Sequence, residues 1–144
     1  MNMIKRMIVL ALAVTMIFTL SACGKNGVMH TLPDDAKNFA PYEYIDPCDD
    51  MDGYMGVEYC GRYYVAFGTQ EGTVHESDLE ACIGYIDGDK NSRVYTLKDT
   101  SDLLATYYLN GEMEQFAFLR ALDTADRDIP LPDYVCDLHY PIWG

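Results

Sequence analysis

Cys136-Asp137-Leu138-His139 places a thiol and an imidazole at the spacing of two zinc ligands, with Cys48 or Cys60 as conceivable additions. Zinc takes four nitrogen or sulfur ligands in a tetrahedron, and one short-spaced pair does not supply them. His139 therefore reads as a tail histidine beside Tyr140 and Trp143, and no metal site is assigned. Asp87-Gly88-Asp89-Lys90-Asn91 offers oxygens at the first, third and fifth positions of a calcium loop. The pattern then fails: Ser92 stands where the sharp turn needs glycine, and Lys98 where a bidentate carboxylate should close the shell. Asp46, Asp49, Asp50 and Asp52 surround Cys48 without ligand spacing or a closing glutamate, which makes them a solvated acidic loop.

Nucleophilic chemistry has one candidate pair, His75 with Cys82. A reactive cysteine needs a base within reach and surroundings that favour the thiolate, and Cys82 sits in an apolar run that disfavours it. Glu112 and Glu114 would share one strand face, but glycoside chemistry needs a sugar cleft between two carboxylates and a hairpin tip offers none. No nucleophile elbow, phosphate-cradling glycine loop or H-E-x-x-H motif occurs. No catalytic residue, cofactor or metal ligand is assigned on these grounds.

Besides Cys23 the cysteines are Cys48, Cys60, Cys82 and Cys136. In an exported chain of this size, four cysteines predict two disulfides among three connectivities. Nearness in sequence favours Cys48 with Cys60, and a pinned C-terminal tail favours Cys82 with Cys136. Each bridge would contribute about 2 to 4 kcal/mol. Buried free thiols are the alternative.

Export itself is read from the N-terminus. Lys5 and Arg6 precede an unbroken apolar run from Met7 to Leu20. As a helix that run spans roughly 21 Å, short of the roughly 30 Å of a bilayer core, so it suits a cleaved signal better than a spanning helix. Leu20-Ser21-Ala22-Cys23, followed by Gly24, resembles the lipobox of bacterial lipoproteins. The resemblance covers residues 1–24 and implies cleavage before Cys23, with a diacylglyceryl group on that cysteine. Two or more acyl chains are what stable attachment requires, since one binds only marginally. The expectation is a protein anchored to the cell membrane on its extracytoplasmic face.

Removing residues 1–22, which hold Lys5 and Arg6 and no carboxylate, takes the formal charge from −13 to −15. Such a surface repels nucleic acid and anionic headgroups, leaving the lipid anchor as the contact with the membrane. With 49% hydrophobic residues the chain is too apolar to be disordered throughout. Residues 23–41 read as lipidated N-terminus and flexible tether, and 42–144 as a single domain near the commonest domain size.

The elements of that domain follow a period of two. Val57 to Phe67 alternates as one half-buried strand. Ala81–Ile86 and Val94–Leu97 flank a Gly/Asp/Asn cluster and predict a hairpin. Leu103–Leu109, Asn110-Gly111 and Glu112–Leu122 predict a second, with Tyr108 facing Met113 and Thr106 facing Gln115. A helix capped by Asn110 is the competing reading of the last segment. Asp99 to Asp102 would close a single helical turn, and Pro130 and Pro132 stop the last element. The fold class expected is β-rich α+β, with about five antiparallel strands in hairpins. Twelve tyrosines include the doublets Tyr63-Tyr64 and Tyr107-Tyr108, each of which sends one ring inward and one outward.

Two function classes remain. One is a non-enzymatic binding or accessory module of the cell envelope, whose outward tyrosines suit a protein or glycan partner. The other is a small envelope hydrolase or metal-dependent enzyme whose site gathers residues distant in sequence.

Overall fold

The computed structural model describes residues 27–46, 53–112 and 115–144. The leader, Cys23, Cys48, Asp49, Asp50, Asp52, Met113 and Glu114 lie outside these residues. Nine strands follow in order: β1 (Lys37–Phe39), β2 (Tyr42–Tyr44), β3 (Tyr54–Tyr59), β4 (Arg62–Gln70), β5 (Leu79–Ile86), β6 (Asp89–Leu97), β7 (Leu103–Tyr108), β8 (Ala117–Ala121) and β9 (Val135–Asp137). They form one curled mixed sheet in the order β1-β5-β6-β7-β8-β4-β3-β2, with β9 paired to β4. Only β1 and β5 run parallel.

The end strands of that order, β1 and β2, are separated in the chain by Ala40 and Pro41 alone. Three peptide steps reach at most about 11 Å, so the sheet has to curl until its two ends nearly meet. Pro41 suits the break between them, since it has no N–H to give to a ladder. Contacts cross the gap: the Phe39 and Tyr59 rings lie 6.2 Å apart, and Lys37 Nζ donates to the Glu58 carbonyl at 3.4 Å. Gly84, opposite Lys37, makes the parallel pairing feasible, because a Cβ there would collide with the Lys37 carbonyl oxygen.

Both faces of the sheet are buried. Phe39, Val57, Tyr64, Val94, Leu104 and Leu119 pack together on one face. Phe67, Leu79, Tyr95, Leu103, Phe116 and Phe118 pack on the other, under Val28, Met29, Leu32, Ile129 and Trp143. Neighbouring residues on a strand point to opposite faces, so Leu103, Leu104 and Ala105 feed the two clusters by turns. Two-sided burial explains why the middle strands read as continuous apolar runs.

The β-rich class holds, but the strands outnumber the five expected, and the helical part shrinks to three single 3-10 turns among the described residues. Three of the extra strands, β1, β2 and β9, are three-residue strands outside the expected runs, and one comes from a turn that the alternation hid. Val57–Phe67 is two strands, joined by Cys60 (φ 50°) and Gly61 (φ 76°) in the type I′ geometry of a two-residue hairpin. Such a turn sets Tyr59 opposite Arg62 and reverses the inward parity, so Val57 is fully buried while Tyr63 is 51% exposed and Tyr64 4%. The second tyrosine doublet divides in the same sense: Tyr107 packs against the core and Tyr108 is exposed.

The hairpin around Asp87 (φ 53°) and Gly88 (φ 75°) forms as expected between β5 and β6. Within the segment after Asn110, Ala117–Ala121 form a strand rather than a helix, yet the register differs: Thr106 faces Ala117, not Gln115, and Met113, the expected partner of Tyr108, lies outside the described residues. Phe116, just before β8, is tied to Gln70: Gln70 N–H donates to the Phe116 carbonyl at 3.0 Å and Phe116 N–H to Gln70 Oε1 at 3.1 Å. Asp99 to Asp102 form no helical turn; Asp102 N–H bonds Thr100 Oγ1 at 3.0 Å and bends the loop instead. Residues 27–39, expected within the flexible tether, contribute β1 and the cover of the second core, because Val28, Met29 and Leu32 find apolar partners there.

The expected Cys82–Cys136 bridge is not formed. Cys60, Cys82 and Cys136 are all free, and the Sγ atoms of Cys82 and Cys136 lie 3.7 and 3.8 Å from the carbonyls of Gly84 and Asp137. The topology keeps the pair apart: Cys136 lies in β9 on β4, and β6, β7 and β8 intervene between β4 and the β5 strand that holds Cys82. Cys48, the expected partner of Cys60, lies outside the described residues.

Candidate functional site

The end of the curled sheet where β3 turns into β4 and β6 passes to β7 holds a cavity of about 320 Å³. Its walls come from five strand ends and one loop: Tyr59, Cys60, Arg62 and Tyr64 from the β3–β4 hairpin, Glu80 from β5, Thr96 and Leu97 from β6, Thr100 and Ser101 from the loop, and Leu103 and Leu104 from β7. The location follows from the closure. A sheet curled this tightly fills its middle with side chains and leaves space only where the strands stop. Size and lining suit a small molecule, since ligand pockets are mostly apolar with a few polar groups that set orientation.

Arg62 organises one wall. Its Nε donates to Asp123 Oδ2 at 2.8 Å and Nη2 to Asp123 Oδ1 at 2.6 Å, a bidentate fork. Nη2 also reaches Asp102 Oδ1 at 2.9 Å, and Nη1 donates to the Ser101 carbonyl at 2.9 Å and to Tyr64 Oη at 3.4 Å. A guanidinium has five N–H groups, and these five bonds use them all. The Tyr64 hydroxyl in turn donates to the Ser101 carbonyl at 2.9 Å, and the Arg62 guanidinium lies 5.5 Å from the Tyr64 ring centre. The Asp123 hydrogen bond, and to a lesser extent that of Asp102, raises Arg62 above its usual pKa, while Arg62 holds the Asp123 carboxyl below the ordinary range. Burial pushes the phenols of Tyr59 and Tyr64 up; at Tyr59 the Cys60 thiol, Tyr64 and Glu80 add to the rise.

Of the residues singled out in the sequence, Cys60 and Tyr64 of the first tyrosine doublet reach this cavity. His75 lies at a separate shallow site with Asp78, Asp133 and Tyr134, where its backbone N–H bonds Asp78 Oδ2 at 2.8 Å. Cys82 is buried against the second core and lines neither His75's site nor the cavity, so the thiol–imidazole pair does not assemble. Cys136 and His139 do not assemble a ligand set either. His139 is 86% exposed, with its backbone N–H on Asp137 Oδ1 at 2.7 Å and its Nδ1 3.5 Å from Asp137 Oδ2. Among the described residues no cluster of three or more His, Cys, Asp or Glu has the geometry to hold a metal ion. Glu112 sits in the loop between β7 and β8, away from the cavity wall.

Sequence reading missed Arg62, Glu80 and the loop at Thr100–Ser101. Their partners are distant in the chain, with Arg62 and Asp123 61 positions apart, and no spacing rule joins them. The one local signal was the Cys60-Gly61 turn, which the strand alternation concealed. Comparison with protein-family models, with curated proteins and with solved structures gives no match to this chain. No helix among the described residues is long and apolar enough to cross a membrane.

Proposed function

We propose that this protein is a lipid-anchored, extracytoplasmic binding module of the cell envelope, and that the cavity at the end of its sheet holds a small ligand. The cavity is the observation that carries the reading: about 320 Å³, walled by Tyr59, Tyr64, Leu97, Leu103 and Leu104, with polar groups at its rim. The anchor is Cys23, acylated after cleavage of residues 1–22, as the lipobox resemblance implies. Packing of Phe39 of β1 and of the partly buried Val28, Met29 and Leu32 against the sheet leaves few residues between anchor and body, which would hold the domain close to the bilayer. The net charge keeps it off anionic headgroups. Tyr63 and Tyr108, about half exposed, are the rings available to an envelope protein or glycan.

Two measurements test the reading. Intact mass of the protein from native membranes, with and without reductant, is expected to report acyl chains on Cys23; an unmodified N-terminus or a retained leader overturns the anchor. Ligand-observed NMR with 4-phenylbutylammonium, 4-phenylbutanol and 4-phenylbutyrate is expected to give binding of at least one probe with a Kd of the order of 1 mM or tighter, given about 0.3 kcal/mol per non-hydrogen atom. Ser101→Trp, which fills the mouth from a loop, is expected to abolish it. Binding by none of the three, or binding unaffected by Ser101→Trp in a folded variant, overturns the cavity reading.

A further inference from the structure

We infer that the cavity selects a small cationic ligand, an amine carried on an apolar body, with its charge against Glu80 and its body between Tyr59, Tyr64 and the leucines. The inference rests on the cavity reading above and adds the sign of the ligand. Two charged residues line the cavity, Arg62 and Glu80. Arg62 has given all five N–H groups to Asp123, Asp102, the Ser101 carbonyl and the Tyr64 hydroxyl, and two carboxylates neutralise its charge. It has no donor left for an anion. Glu80 is exposed and is in none of the ion pairs among the described residues, so its carboxylate is the uncompensated charge on the wall.

Two other polar side chains on the wall are engaged in bonds that carry no charge. Thr100 Oγ1 accepts from Asp102 N–H at 3.0 Å, and Thr96 Oγ1 donates to the Ala81 carbonyl at 3.4 Å. Of the lining rings, Tyr64 already takes the Arg62 guanidinium 5.5 Å from its centre, and an aromatic face such as that of Tyr59 attracts a cation and repels an anion. Lys37, near Tyr59, is engaged elsewhere: its ammonium lies 5.1 Å from the Phe39 ring centre and donates to the Glu58 carbonyl at 3.4 Å. An exposed carboxylate on the cavity wall beside aromatic rings, in a chain of net charge −13, favours an ammonium ion over a carboxylate of equal size.

The three phenylbutyl probes share one apolar body and differ in charge, which makes them the test. The amine is expected to bind about tenfold more tightly than the alcohol, and the carboxylate more weakly than either. Glu80→Gln is expected to bring the amine-to-alcohol ratio to about one, while Glu71→Gln, on a different surface, leaves it unchanged. That control separates Glu80 from the general negative field of the chain. Equal binding of amine and alcohol, or an amine preference that survives Glu80→Gln, overturns the inference and leaves the cavity reading standing. If Ser101→Trp does not fold, Thr100→Trp serves the same purpose; binding of all three probes that survives the folded variant overturns both.

Discussion

Arg62 grips both carboxylate oxygens of Asp123 across 61 residues of chain, tying the β3–β4 turn to the 3-10 turn that follows β8. The same guanidinium reaches Asp102 and Ser101 in the β6–β7 loop, so one side chain staples three loops at the end of the sheet that carries the cavity. Arg62→Ala is expected to lower stability by about 1 to 3 kcal/mol, because the Ser101 carbonyl and Asp102 lose charge-assisted partners. Arg62→Lys, a point charge without the fork, should recover less than half of that loss. Urea unfolding of the three proteins checks both statements.

Asp123 makes part of that staple pH-dependent. Its carboxyl is held below the usual range by Arg62, so the folded state binds the proton less readily than the unfolded chain. The contribution is therefore present above the unfolded value of about 3.9 and is lost as pH falls through the lower folded value. With the Asp123 side chain 57% exposed, solvent screening keeps it below about 1 kcal/mol. Unfolding free energies at pH 6 and pH 3 should differ by more in the parent than in Asp123→Asn.

Gly84 is the position at which the parallel pair between β1 and β5 admits no side chain. Gly84→Ala should cost about 2 to 3 kcal/mol, since the obstacle is backbone and cannot swing away. Hydrogen exchange should then show faster exchange at Asp87 N–H, which bonds the Phe39 carbonyl at 2.9 Å, before it shows any change in β6 or β7.

Trp143 is the only tryptophan in the chain and closes the second core from the C-terminus. Its Nε1–H donates to the Ala66 carbonyl at 2.9 Å, its ring meets Phe67 edge-on at 5.8 Å, and the buried Arg120 guanidinium lies 4.8 Å from its centre. Burial lowers the Arg120 pKa, and the cation is compensated by the Thr124 and Arg127 carbonyls, the Thr124 hydroxyl and the two rings. Trp143→Phe should cost about 1 to 2 kcal/mol and Trp143→Ala about 3 kcal/mol in thermal unfolding. Intrinsic fluorescence of the parent should shift to the red on unfolding, reporting this corner alone among the aromatic contacts.

The phenols of Tyr42 and Tyr134 are buried without a hydrogen-bond partner among the described residues, and burial pushes each up to about 12. A folded value above the unfolded 10 means that stability is intact below about pH 10 and declines as pH rises toward 12. Tyr42→Phe and Tyr134→Phe remove a desolvated hydroxyl and are expected to be neutral or stabilising by up to about 1 kcal/mol at pH 7. Absorbance titration at 295 nm should lose one late-titrating phenol in each variant.

What the chain specified by itself was local. The period of two marked the strands, Asp87-Gly88 the hairpin, and the two tyrosine doublets the inner and outer faces, because each depends on residues within one or two positions of one another. Closure, the cavity and the Arg62 staple were decided by tertiary structure. β1 is three residues long and acquires meaning only beside Gly84, 47 residues away from Lys37, and Val28 and Met29, partly buried, pack on the second core only because that face of the sheet needs a cover. The same limit applies to Glu80 and Arg62. In sequence they are two charges on strand ends; once the sheet curls, Asp102 and Asp123 saturate one of them and the other is left facing the open end. Long-range pairing sets which charges are spent, and no local pattern of residues carries that information.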